Sequence, residues 1–472
     1  VLSEAQVRRC LQVDACIAAN RKALGSIRKD KITGAFVPTR IGLPYGPSSL
    51  SIVNGGSGVG GGGDSSNNNN NRGSSSSSSS ISSSSNSVTQ DWSLFKPAAF
   101  YPLPSSSPST TTTSKSNDDV LMGMKVISMR AQNASSGKST CPATILLLNA
   151  KTGEITAVLG ATYLTAARTA AGSAIATELI LRETMKRTLE NCVPGNLDDD
   201  NDDDEDDDDS GGCTGTIPTG AALQVVVFGA GLQAEMHVRS LRHVMKDIGT
   251  ITIVNRSIER AENLKGRLES LSPSIPTGAE EDENKSNNKN EEPSSSVSSS
   301  PREDDAGNGS SGCSGTIQCL SLSDTNAVQT AVQTADVIVT ATNSSQPLFR
   351  GEWVKGGCHI NGIGSYTGVM EEVDHRFVRE RCKVIIDTVE AFEVGDLQGI
   401  TEGSDNYLGL LGDVMQSGSD SGSEERDMFV GKEGGLDCTF YKAVGTAVQD
   451  IFTAQTTLEN AIIMEIGTKV DI

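Results

Sequence analysis

An α/β architecture is predicted, with a doubly wound parallel unit inserted into an α+β domain and long disordered insertions separating the folded pieces. Three observations predict it. The segment Leu223 to Ser240, LQVVVFGAGLQAEMHVRS, joins an apolar run to a glycine turn and then to a helical pattern. Apolar strands alternate with helical stretches after it, as a parallel sheet with crossover helices requires. Tracts of strongly biased composition interrupt the chain, and these bury too little apolar surface to offset the entropy of ordering them.

Val225, Val226, Val227 and Phe228 form a continuous apolar run, expected of a strand covered on both faces. The chain turns at Gly229 and Gly231. The first glycine permits the tight turn; the second lets the backbone approach a pyrophosphate seated on the N-terminus of the next helix, beside Leu232 and Gln233. Ala234 stands where a small residue lets helix and strand pack closely. The strand before and the helix after this turn make it a Rossmann dinucleotide site, which two glycines alone would not.

The second strand, TITIV from Thr250, ends in Asn255, Arg256 and Ser257. An NAD site of this kind usually has Asp or Glu about 20 residues after the turn, to accept hydrogen bonds from the ribose hydroxyls. Here no carboxylate repels a 2′-phosphate, and a guanidinium and a hydroxyl are present to bind one. NADPH is therefore the expected cofactor, with NADH the alternative. Thr342, just past the buried strand DVIVT, is expected with the cofactor-binding set.

The other elements follow in order. Residues 3–27 are expected to be helical, and AFVPTRIGL to be a strand. MGMKVISM from Met122 reads as a strand, ATILLLNAKTGEITAVLG as a hairpin turning at Lys151–Gly153, and LTAARTAAGSAIATELILR as an alanine-rich helix. Beyond the glycine unit come a strand at Thr316–Leu320, a helix at Ser323–Thr334, the strands DVIVTAT, HINGIGS and KVIIDT, and a helix from about Tyr441 to Ile466. The expected domains are 1–190 and 366–472 for substrate binding and dimerisation, 191–220 as an acidic linker, and 221–365 as the nucleotide-binding unit. Residues 47–90, 104–118 and 273–316 are expected to be disordered, and 403–436 flexible.

The net charge of −21 belongs mostly to these tracts: residues 198–209 hold eleven carboxylates and no cation, and 280–305 hold nine against three cations. The remainder is close to neutral, so no basic face for nucleic acid is implied. The ten cysteines form no CxxC pair and no zinc-ligand spacing with the four histidines. Free thiols in a reducing, cytoplasmic setting are expected, with no metal, no membrane span and no signal peptide. The chain begins at Val1 rather than Met, so a targeting sequence upstream would lie outside it.

Three cations interrupt apolar or small-residue surroundings: Arg40 in VPTR, Lys125 in LMGMKVIS and Arg168 in TAARTAAGS. A charge in such a place needs a partner or a task, because burying it unpaired is costly. Together, in a chain with a dinucleotide site, they point to an anionic small substrate that an arginine fork and a lysine ammonium would hold. His359 and His375 are candidate proton donors, but the sequence places no carboxylate beside either, so core or surface roles are expected; Lys442 could lie near the cofactor, but a structural role is expected.

GAGLQAEMH, RTAAGSAIAT, VNRS, the MGMKVIS lysine and YKAVGTAVQD together resemble the ornithine cyclodeaminase and mu-crystallin family. The resemblance spans roughly 3–46, 91–103, 120–190, 221–272 and 316–472. It implies a homodimer that acts on amino or imino acids by hydride transfer. It also implies that Arg40, Lys125 and Arg168 are the substrate-carboxylate and active-site cations, and that Gly229, Gly231, Leu232 and Gln233 form the pyrophosphate loop. The cyclodeaminase branch carries an aspartate shortly after a VTVT-like strand; here Asn343, Ser344 and Ser345 follow it, and none is an acid. That departure and the Asn255-Arg256-Ser257 strand end point to the imine-reducing side. An NADPH-dependent ketimine reductase is thus expected, the alternatives being ornithine cyclodeaminase, alanine dehydrogenase or a non-enzymatic NADPH- or small-ligand-binding protein.

Overall fold

The computed structural model describes residues 1–27, 35–38, 41–45, 91–102, 120–191, 222–270, 315–417 and 437–470. The tracts 47–90, 104–118 and 192–220 lie outside them, as do nearly all of 273–316 and Arg40.

The N-terminal part begins with two helices, α1 (Glu4–Cys10) and α2 (Val13–Gly25), where one was expected. Ser3 and Gln6 form a capping box on α1. An antiparallel sheet follows, built from β1 (Ala35–Phe36), β2 (Ile41–Tyr45), β3 (Asp91–Phe100), β4 (Leu121–Met129), β5 (Ala143–Leu148) and β6 (Ile155–Gly160). Its order is β1-β3-β4-β5-β6, with β2 also on β3. The β5–β6 hairpin turns through Gly153, whose φ of +76° favours glycine. Helix α3 (Thr162–Asn191) then starts where the Glu4 carboxylate accepts the backbone N–H groups of Thr162 and Tyr163.

The second sheet is parallel. It contains β7 (Leu223–Phe228), β8 (Ile248–Asn255), β9 (Thr316–Ser321), β10 (Val337–Thr340), β11 (His359–Gly362), β12 (Cys382–Ile386), β13 (Tyr407–Leu410) and β14 (Cys438–Lys442). Their order is β13-β12-β14-β11-β10-β7-β8-β9. The stretch β9-β8-β7-β10-β11-β14 has the doubly wound order whose switch point, between β7 and β10, opens a crevice at the carboxyl edge. Helices α4 (Leu232–Val244), α5 (Ile258–Glu269), α6 (Thr325–Thr334), α7 (His375–Arg381) and α8 (Leu411–Ser417) accompany the sheet, and α9 (Ala447–Ile463) returns to the antiparallel one. Residues of β7 alternate between two cores: Val225 and Val227 pack with α4 and α5, while Val226 and Phe228 face the opposite layer.

Beyond residue 365 the parallel sheet continues through β12, β13 and β14. Within the stretch 403–436, Tyr407–Leu410 and Leu411–Ser417 form β13 and α8. One element boundary is corrected. The last helix begins at Ala447 rather than Tyr441, since Tyr441 and Lys442 pair in β14 with Asn361 and Gly362. Cys10, Cys16, Cys141, Cys319, Cys358, Cys382 and Cys438 are free thiols.

Two buried histidines make the fold sensitive to acid. His237 bridges Ser173 Oγ (3.0 Å) and the Gln233 carbonyl (2.7 Å), and His359 meets Thr439 Oγ1 at 2.8 Å. Burial pushes both imidazoles down to about 4. The unfolded chain binds these protons near pH 6.5, so their contribution is complete above that pH and is lost as pH falls towards 4. The loss is on the order of 3 kcal/mol for each group. Urea midpoints at pH 7.5 and pH 5 are expected to show this fall; equal midpoints would contradict it.

Candidate active site

The glycine turn lies at the switch point. Gly229 has φ +113°, its N–H donates to the Val254 carbonyl (2.9 Å), and a Cβ there would stand 2.5 Å from the Ala341 carbonyl oxygen. The turn is therefore held between β8 and the exit of β10. Gly231 is different: its φ of −92° suits any residue, and a Cβ there would meet nothing within 4 Å. It is the N-cap of α4, and no side chain caps the first N–H groups of that helix. The buried Gln233 Oε1 has no hydrogen-bond partner among the described residues. A helix N-terminus without a side-chain cap, behind a glycine turn, fits a pyrophosphate.

At the end of β8, Asn255 Nδ2 donates to the Ser257 carbonyl (2.9 Å), and Ser257 Oγ caps α5 by accepting from Arg260 N–H (3.3 Å). Arg256 is exposed beside them. Thr342 lies next to the turn, its N–H and Oγ1 both donating to Glu372 at 2.6 Å. Glu372 also accepts from Gly364 N–H (2.6 Å) and Ser365 N–H (3.2 Å), which ties the loops after β10 and β11 together. Burial raises this carboxyl above its ordinary range, against the opposing pull of Lys442. A carboxylate thus reaches the loop that lacks an acid of its own, from a position no local motif predicts. Ser344 Oγ donates to the Gln346 carbonyl (2.6 Å) within that loop.

The cations converge elsewhere, on the inner face of the antiparallel sheet. Lys125 Nζ lies 2.7 Å from Asp450 Oδ1, and Arg168 Nε lies 2.9 Å from the same oxygen. Lys96 Nζ stands 4.0 Å from Asp450 Oδ2 and donates to the Gly445 carbonyl at 2.7 Å. Lys96 and Lys125 are direct partners across β3 and β4. All four side chains are buried. Burial alone would push the Asp450 carboxyl up, but Lys125, Arg168 and Lys96 outweigh it and hold it at about 2.

Of the cations singled out in the sequence, Lys125 and Arg168 lie in this cluster; Lys96 and Asp450, which complete it, did not stand out there. The signals were present: Lys96 interrupts LFKPAAF, and Asp450 lies between Ala447 and Ala454 on the buried side of α9. Arg40 lies outside the described residues. Lys442 is structural, sealed against Asp396 Oδ2 at 2.7 Å. His359 is also in the core, whereas His375 does have a carboxylate beside it, Glu371 Oε1 at 2.8 Å.

Helix α3 links the two regions. Arg168 meets Asp450, Ser173 bonds His237 of α4, and Thr177 Oγ1 accepts from Asn361 Nδ2 of β11 at 2.9 Å. Arg168 and Ser173 are about 7.5 Å apart along the helix axis, from the rise per residue. A buried cation cluster therefore sits within one small molecule's length of the helix that follows the glycine turn.

The model of the ornithine cyclodeaminase/mu-crystallin family matches residues 110–189 and 312–464. An uncharacterized cyclodeaminase of Dictyostelium discoideum is 27% identical over 369 residues, covering 75% of this chain and 79% of that protein. A Δ1-pyrroline-2-carboxylate reductase of Bacillus cereus is 25% identical over 356 residues, covering 74% and 80%. The solved structure of Thermococcus litoralis Δ1-pyrroline-2-carboxylate reductase, in complex with NADH and L-proline, has the same fold. It superposes with a TM-score of 0.61 at 18% identity, over 99% of each chain.

Proposed function

The chain belongs to the ornithine cyclodeaminase/mu-crystallin family, and we propose that it is an NADPH-dependent reductase of a small imino acid, acting as a homodimer. The observation that carries this reading is the buried cluster of Lys125, Arg168 and Lys96, joined by α3 to a dinucleotide crevice. In this reading Arg168 and Arg40 hold the substrate carboxylate, and Lys125 orients the substrate and its ammonium donates the proton near the imine nitrogen. When bound, the reduced nicotinamide supplies the hydride. An iminium carbon is already electrophilic, so holding it in place accounts for much of the rate. The preference for NADPH rests on Arg256 and on the absence of a carboxylate at the end of β8. The exposed Ile462, Ile463 and Met464 at the end of α9 support assembly with a second copy.

The test is steady-state oxidation of NADPH and NADH with Δ1-pyrroline-2-carboxylate, Δ1-piperideine-2-carboxylate and linear imino acids. Turnover is expected with NADPH preferred. Arg256→Asp is expected to weaken NADPH by roughly 10- to 100-fold, the worth of a charge-assisted hydrogen bond, while sparing NADH. No turnover across the panel despite cofactor binding, or proline and ammonia released from ornithine without added reductant, would overturn the proposal.

A further inference from the structure

We propose that Asp450 is the positioning residue of this site: its carboxylate holds the Lys125 ammonium and fixes the plane of the Arg168 guanidinium in the cluster that receives the substrate. The proposal rests on the reductase reading for its substrate, but its geometry stands apart from it.

Lys96 and Lys125 are opposed across an antiparallel pair, an arrangement that like charges destabilise. Asp450, brought over the sheet by α9, offsets that repulsion by standing between them. Its Oδ1 accepts from Lys125 Nζ at 2.7 Å and from Arg168 Nε at 2.9 Å. Because the bond to Arg168 uses Nε, the guanidinium plane is set while its Nη1/Nη2 edge lies against the backbone of Gly445. A Cβ on Gly445 would overlap that edge, and Gly445 has φ +78°, so the chain leaves space there for the fork. Gly445 is itself held by Asp387, whose Oδ2 accepts its N–H at 2.5 Å. Asp450 Oδ2 is a buried acceptor with no hydrogen bond among the described residues and faces Lys96 at 4.0 Å. A carboxylate used only to neutralise buried charge would do so with any geometry; this one bonds a lysine and an arginine through a single oxygen.

The groups packed around the cluster are Lys96 of β3, Lys125 of β4, Thr165 and Arg168 of α3, Cys16 of α2, Tyr441 of β14, and Asp387 after β12. Burial pushes the Cys16 thiol up to about 12 and the Tyr441 hydroxyl well above its usual value, so neither titrates near neutrality. Removing the Asp450 charge leaves Lys96, Lys125 and Arg168 facing one another, and a lysine among like charges loses its proton at lower pH. The protonated form is then lost as pH rises through the lowered value.

The experiment compares wild type with Asp450→Asn and Asp450→Glu, using NADPH and Δ1-piperideine-2-carboxylate from pH 6 to pH 9. Asp450→Asn is expected to bind NADPH normally and to lose about 100-fold in kcat/KM at pH 8, with recovery towards pH 6. Asp450→Glu keeps the charge but shifts it by one methylene, so KM is expected to rise without a new alkaline limb. A pH profile for Asp450→Asn parallel to wild type would overturn the proposal. If Asp450→Asn does not fold, an alkaline limb in Asp450→Glu, or an unchanged KM, would overturn it. Wild type without imine turnover would sink the reductase reading instead. Asp450 is then judged from the pH dependence of thermal shifts by pyrrole-2-carboxylate, where the same alkaline loss in Asp450→Asn is expected and its absence contradicts the proposal.

Discussion

Gly229→Ala is expected to eliminate detectable NADPH binding and to lower stability by about 2–4 kcal/mol, the range for a strained backbone combined with a steric conflict. The residue has φ +113°, and an added Cβ would press on the Ala341 carbonyl oxygen at 2.5 Å. The turn has little room to move, since its other side is tied to Val254 of β8. Relief therefore shifts the exit of β10 or the start of α4, both of which border the crevice. Gly231→Ala separates binding from folding. Its backbone is extended and a Cβ there meets nothing, so stability should fall by no more than about 1 kcal/mol, the preference for glycine over alanine at an N-cap. The same methyl group occupies the space through which a pyrophosphate approaches the helix N-terminus, so NADPH affinity should fall sharply. Urea unfolding and NADPH fluorescence titration check both variants. A Gly231→Ala protein with wild-type affinity would show that the pyrophosphate does not use this turn.

Lys125→Met is expected to reduce kcat/KM for an imino acid by about 10²- to 10³-fold, from the loss of roughly 3–4 kcal/mol of electrostatic stabilisation at the reacting centre. The thioether fills much of the volume of the lysine stem, so the strand pairing from Met122 to Ile127 should persist. Asp450 retains Arg168 at 2.9 Å and Lys96 at 4.0 Å, which limits the cost of leaving it buried. NADPH binding should be unaffected, because the glycine turn lies on the other sheet. Steady-state kinetics with both substrates varied separates these effects. Unchanged activity in Lys125→Met would remove the lysine from the mechanism, and cofactor binding without any turnover in wild type would favour a ligand-binding protein.

Much of the nucleotide unit was legible in the sequence because its signals are local. VVVF and DVIVT are short apolar runs and TITIV is β-branched throughout, as buried strands favour, and the glycine turn lies between a strand and a helix. What the sequence obscured was long-range. β14 lies next to β11 although about 75 residues separate them along the chain, a connection that turn chemistry and periodicity do not encode. For the same reason YKAVGTAVQD read as the start of a helix, although its first two residues complete a parallel strand. Strand β3 escaped because its apolar alternation is broken by Lys96 and Pro97. The cation cluster was half visible: Lys125 and Arg168 stood out against small and apolar neighbours, whereas Asp450 shares its helix with Gln449 and Thr453 and looked like one polar residue among several. Pairing across some three hundred residues makes it the shared partner of Lys125 and Arg168, with Lys96 nearby.

The most direct measurement follows the hydride. Reduction of Δ1-piperideine-2-carboxylate with NADPH deuterated at the nicotinamide C4 is expected to place one deuterium on the ring carbon that bears the carboxylate, with stoichiometric formation of NADP. Product without deuterium at that carbon, or oxidation of NADPH without reduced product, would contradict transfer of hydride from the crevice at Gly229–Gln233 to an imino acid held by Lys125 and Arg168.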